Sequence, residues 1–199
     1  TALLSVALPP DAKAQLKQSV RTLQASRFPP GEEDRVIHYY DFLAEVARGA
    51  RQSQSLGAYL TPLMAEAARR TTESSAVVEN RAAIWATVLY FSSGAFEALV
   101  GKLVSSQRLL VRAPAQVTLG GRVDLMLHFL YSAGITLATQ QGIGIAAGEF
   151  KELLDSGDGG SGFSFADLAA DRAGIRFVTV ATADEAAARR LQERFVTSN

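Results

Sequence analysis

The chain has 199 residues, long enough to bury an apolar core without disulfide or metal support. Its 20 Lys+Arg balance 20 Asp+Glu, which removes the electrostatic case for nucleic acid or an anionic membrane surface as a partner. Cysteine is absent, so thiol catalysis, disulfides and Cys-ligated zinc are excluded.

Thr1–Pro10 is apolar, ends in Pro-Pro and reads as a loose N-terminal arm. No signal segment is visible, and a chain opening on Thr1 is expected to be a mature or trimmed form. Leu16, Val20 and Leu23 predict a helix over 11–28, stopped by Phe-Pro-Pro-Gly. A second helix is expected over 32–48, with Val36, Ile37, Tyr40, Leu43 and Ala47 on one side and Gly49 ending it. Acidic residues crowd its first turn, where the helix dipole favours them. A third helix over 56–70 contains Pro62, which is expected to kink it or shift its start. The stretch 76–91, AVVENRAAIWATVLYF, reads as the central helix. A short helix over 95–104 follows Ser92-Ser93-Gly94.

Residues 109–121 bring β-branched residues, Pro114 and a Gly-Gly pair, a connector with a candidate hairpin. Helices are expected over 122–140 and 145–154, then a glycine-rich loop over 156–162. The apolar run 123–138 approaches membrane-span length but holds Asp124 and His128, so it reads as a buried helix of a soluble protein. A helix over 164–173 is expected to end at Gly174, with 175–181 as a short strand or extended tail. A charged helix closes the chain over 184–195, with Thr182 as its N-cap. The expected fold is all-α: residues 1–199 form a single compact bundle of about seven or eight helices.

Polar chemistry concentrates between Asp124 and Gly174. Residues three or four apart share a helix face. That rule pairs His128 with Ser132, Glu149 with Glu152, Glu152 and Lys151 with Asp155, and Asp167 with Asp171. Short loops favour packing of these helices side by side, so the pairs can converge on one pocket with the glycine loop at its mouth. Such a cluster admits three readings. It can bind a divalent cation through imidazole nitrogen and carboxylate oxygen. It can run general acid–base chemistry if burial separates the carboxylate pKa values. It can also satisfy itself as a structural network, with Lys151 and Arg172 pairing the acids.

Asp34 precedes His38 by four residues, and Asp124 precedes His128 by four, so each carboxylate is placed to hold a ring N–H. The loop Asp155, Asp158, Ser161, Ser164, Asp167 offers oxygen donors between two helices, and FSFADL looks like the closing half of an EF-hand. The register is wrong for that loop, however, and Ser164-x-x-Asp167 is explained locally as a capping box. No H-E-x-x-H, nucleophile elbow or dinucleotide fingerprint is present in a supporting context.

The ordered positions are His128-Phe129, Ser132-Ala133, Lys151-Glu152, Asp155, Ser161-Gly162-Phe163-Ser164, Asp167-Leu168, Asp171 and Gly174. Together they resemble a family of small Gram-negative periplasmic or lipoprotein-type envelope proteins, and more loosely VanZ-like membrane proteins. The resemblance covers about a quarter of the chain and implies the periplasm or outer-membrane-associated envelope rather than a reaction. The leading expectation is therefore an exported envelope protein whose His/Glu/Asp pocket is a ligand or cation site. Its partner would be an envelope component or small ligand, not nucleic acid, and no transmembrane segment is expected. If hydrolytic, Glu152 or Asp155 is the expected base and His128 a ligand or acid, with Asp167 and Asp171 orienting. Lys151, Ser161 and Ser132 would contact ligand, and His128, Glu152 and Asp167 would hold a divalent cation. The alternative is a scaffold or interaction module in which the same cluster is structural.

Overall fold

A computed structural model describes residues 29, 31–50, 52–92, 116–141 and 164–197. Among them are six helices and one two-stranded sheet: α1 (Glu32–Ala47), β1 (Gln54–Ser55), α2 (Gly57–Arg70), α3 (Ala76–Phe91), β2 (Val117–Thr118), α4 (Val123–Gln140), α5 (Phe165–Ala181) and α6 (Glu185–Thr197). The arm at 1–10 and the helices expected over 11–28, 95–104 and 145–154 lie outside the described residues. No helix among the described residues is long and apolar enough to cross a membrane.

The central position of α3 follows from its sequence. Apolar residues surround it on all sides, and every residue from Ala82 to Tyr90 is buried. It packs against the other five helices, α1 and α4 most extensively. Trp85, fully buried, donates from Nε1 to Gln141 at 2.8 Å, just beyond the end of α4. On α1 the buried stripe is Glu32, Val36, Tyr39, Tyr40, Leu43 and Ala47. Helix α2 carries Pro62 in its interior without a break in the helical span.

The Gly-Gly pair makes a tight turn. Gly120 and Gly121 have φ of 58° and 78°, and Leu119 and Arg122 bridge across them in antiparallel sense. The hairpin expected over 109–121 is thus limited to this turn among the described residues. The extended residues before it pair in parallel with a distant segment, Gln54 with Val117 and Ser55 with Thr118.

The clearest departure from the sequence reading is at Gly174. The helix does not stop there and no strand follows, because α5 continues to Ala181. Glycine is required by close packing instead. A Cβ at this position would lie 2.2 Å from the Phe129 carbonyl oxygen and 3.2 Å from Ala133 N. Those two atoms are the acceptor and donor positions of one i→i+4 rung of α4. Contacts rise together along both helices, Arg122 with Asp167, His128 with Asp171 and Gln140 with Thr182, so α4 and α5 run parallel.

Helix α6 is held largely by polar pins. Glu185 accepts from the N–H groups of Ala76 and Val77 at 2.8 and 3.2 Å, placing a carboxylate on the N-terminus of α3. Buried Asn80 donates to the carbonyls of Ala181 and Ala188, and Gln192 donates to Asn80 Oδ1 at 2.8 Å. Thr182 is not the cap of α6. It closes α5 by donating to the Val178 carbonyl, whereas Asp184 accepts from Ala187 N–H at 2.7 Å.

Candidate functional site

The expected site residues fall in two groups. Lys151, Glu152, Asp155 and Ser161, with Glu149 and Asp158, lie outside the described residues. His128, Ser132, Asp167 and Asp171 lie in the seam between α4 and α5, and Asp171 is bonded directly to His128 and Ser132.

Helix α5 opens with a capping box, as its sequence predicts. Asp167 N–H donates to Ser164 Oγ at 3.2 Å, and Ser164 N–H donates to Asp167 Oδ2 at 2.9 Å. The Ser164 backbone N–H and hydroxyl hold the Asp167 carboxyl below the ordinary range, opposed by burial and helped by His128 when its ring is protonated and by the Arg122 charge. Oδ1 of the same carboxylate is buried and accepts no hydrogen bond. Arg122 Nη2 stands 3.5 Å from it.

One turn further, Asp171 Oδ1 accepts from Ser132 Oγ at 2.8 Å and meets His128 Nδ1 at 3.1 Å. An ionised carboxylate only accepts, so Nδ1 carries the proton and the neutral ring keeps its lone pair on Nε2. The His128 and Asp171 side chains are 15% and 13% exposed, so solvent still reaches the pair. Ser132 is not set up as a nucleophile. Its hydroxyl donates to the carboxylate rather than to the imidazole, so the serine–imidazole pairing of a triad is not made. The arrangement suits an imidazole oriented by an acid, ready to accept a proton or to ligate through Nε2.

The i,i+4 aspartates do not hold the histidines. Asp124 is taken by Arg122, whose Nε donates to it at 3.1 Å, and this pairing depresses the Asp124 pKa. His38 is paired across helices with Glu66 Oε1 at 2.9 Å. A side chain four residues away shares a face, but a partner on the neighbouring helix can approach the ring more directly. Arg172 is exposed, and among the described residues Asp167 is met by Arg122 instead. No group of three or more His, Asp and Glu among the described residues is placed to hold a metal ion. The expected set His128, Glu152 and Asp167 includes one residue outside them.

Sequence reasoning missed a second polar assembly, in which three buried glutamates link α1, α2, α3 and α4. Glu79 accepts from Arg35 at 3.0 Å, Tyr39 at 2.5 Å and Arg70 at 3.2 Å. Burial first, and then the hydrogen bond to Glu79, push the Tyr39 phenol well above its ordinary range. Glu32 receives both Arg81 Nε and Nη2, at 2.7 and 3.1 Å, and the Gln141 amide. Glu66 receives Arg69 as a fork, both bonds at 2.7 Å, and this pairing lowers its pKa. The signal was available in the spacing. Glu32 stands four before Val36, Glu66 three after Leu63 and Glu79 three after Ala76, each within a buried stripe.

No protein-family model, curated protein or solved structure matches this chain.

Proposed function

We propose that this chain is an exported cell-envelope protein in which His128, oriented by Asp171, binds a cation or a hydrogen-bond-donating ligand beside Asp167. The observation that carries the site is the double acceptance by Asp171. One carboxylate fixes both Ser132 and His128 Nδ1, which leaves Nε2 as an acceptor in the neutral ring. Asp167 Oδ1 adds a buried acceptor that takes no hydrogen bond, although the Arg122 guanidinium stands 3.5 Å away. Two such acceptors in one helix seam suit a positive or proton-bearing group. In a hydrolytic version of the site, Glu152 or Asp155 supplies the base and Lys151 and Ser161 contact the ligand. The envelope assignment is supported by the ordered signature from His128 to Gly174.

The alternative is a scaffold in which the cluster only locks α4 to α5. It is favoured by the fact that His128, Ser132 and Asp171 are already bonded to one another, much as the three buried glutamates are satisfied by their arginines. Thermal unfolding in chelator and then with Ca²⁺, Mg²⁺, Mn²⁺ or Zn²⁺ separates the two readings. A cation that binds only the folded state raises the midpoint. The site reading expects a cation-specific rise that is lost in both His128→Gln and Asp167→Asn. Destabilised variants with no response to any cation would favour the scaffold.

A further inference from the structure

Helix α5 divides its residues between two faces. Asp167, Ala170, Gly174, Val178 and Ala181 form the buried stripe. Phe165, Ala169, Arg172, Arg176 and Val180, spaced three or four apart, form the opposite stripe, and all five are exposed. The helix holds two acids, Asp167 and Asp171, and both are turned into the α4 seam. Its outer face therefore carries two guanidinium groups among apolar side chains and no carboxylate. Phe165 is 93% exposed. The other large apolar side chains exposed among the described residues, Ile175, Val180 and Val196, also lie on α5 or α6. Large apolar side chains gathered on one surface mark a contact face.

We propose that the outer face of α5 is a docking surface for an acidic, amphipathic helical segment of a partner protein. Charge complementarity selects this occupant. Arg172 and Arg176 stand one turn apart near the middle of a stripe about 22 Å long, from Phe165 to Val180. A guanidinium fork matches a carboxylate, and carboxylates three or four residues apart on a partner helix repeat that one-turn spacing. Phe165 at one end and Val180 at the other supply the apolar contacts by which an amphipathic helix is held. A second copy of this chain fits poorly, because two-fold pairing of α5 on α5 opposes guanidinium groups with no carboxylate between them. An anionic bilayer fits poorly too, because two arginines add little attraction in a chain of 20 basic and 20 acidic residues. The face lies opposite the His128 seam, shares no residue with it and does not depend on its role.

Two helical peptides serve as probes, one built of leucine, alanine and glutamate, the other with lysine in place of each glutamate. Each is titrated into the intact protein, with affinity read by fluorescence anisotropy and the contact surface by amide chemical shifts. The glutamate peptide is expected to bind about tenfold more tightly than the lysine peptide and to shift the amides of residues 165–180. Arg172→Glu/Arg176→Glu alters two exposed side chains and should reverse that preference, and either single variant should narrow it. Phe165→Ser should weaken both peptides. No binding, equal binding of the two peptides, or shifts confined to other helices would overturn the proposal. Binding to phosphatidylglycerol vesicles in place of the glutamate peptide would overturn it in favour of a lipid surface. Self-association lost in Phe165→Ser would overturn it in favour of a second copy. Peptide binding that appears only after Glu149→Ala, Glu152→Ala and Asp155→Ala would overturn it in favour of residues 142–163 of the same chain.

Discussion

Replacing Gly174 with alanine tests the packing of the α4–α5 seam, and two opposing effects make the sign informative. Helix propensity alone favours the change, since alanine in place of glycine inside a helix contributes about 1 kcal/mol. Against it, the new Cβ would stand 2.2 Å from the Phe129 oxygen and 3.1 Å from the Phe129 carbonyl carbon, where ordinary contact begins near 3.4 Å. The obstacle is backbone of α4, so no rotamer change relieves it, and the helices must separate by about 1 Å or distort. Overpacking of this kind costs about 1–3 kcal/mol, and backbone contact places it toward the upper end. The net expectation is a loss of about 1–2 kcal/mol, read by urea unfolding followed with far-ultraviolet circular dichroism. Ala169→Gly, at an exposed position of the same helix, isolates the propensity effect and should cost about 1 kcal/mol. Asp171 lies one turn before Gly174, so separation of about 1 Å would also carry the Ser132 and His128 bonds beyond hydrogen-bond range. A Gly174→Ala protein as stable as the original, or more stable, would refute the reasoning.

Glu79→Gln should destabilise by about 2–3 kcal/mol in the same unfolding assay, because two arginines and a phenol lose their shared anion. The arginines are 35% and 30% exposed, which keeps the loss below that of a fully buried pair. Glu45→Gln breaks an exposed pair with Arg48 and should change stability by less than about 0.5 kcal/mol. Asp167 has a depressed pKa in the folded state, so its contribution is complete above the unfolded value of about 3.9 and is lost as pH falls through the lower folded value. Unfolding free energy measured against pH should therefore show Asp167→Asn less stable near neutrality, with the gap closing in acid. A gap that stays constant down to the acid limb would contradict this.

The helices with strong local signals were legible in the sequence. Residues 76–91 were apolar on every side and became the central helix, and Ser164 and Asp167 formed the capping box their spacing announced. Helical periodicity and a cap depend on neighbours within a turn or two, which the chain order itself supplies. The acids Glu32, Glu66 and Glu79 were also visible in buried stripes, but their arginine partners were not. Glu32 finds Arg81 and Glu79 finds Arg35 through the packing of different helices.

Gly174 shows the limit most plainly. A glycine followed by Ile-Arg-Phe-Val-Thr-Val reads locally as a helix stop before a strand. It is instead the point where α5 touches the backbone of α4. The histidines follow the same logic, since Asp34 and Asp124 share their helix faces while Glu66 and Asp171 hold the rings from other helices. The mostly helical character, the central helix and the capping box of α5 were readable from chain order, because these are set by short-range geometry. Which carboxylate meets which imidazole or guanidinium, and how closely two helices approach, became visible with the packing, because both depend on the register between elements far apart in the chain.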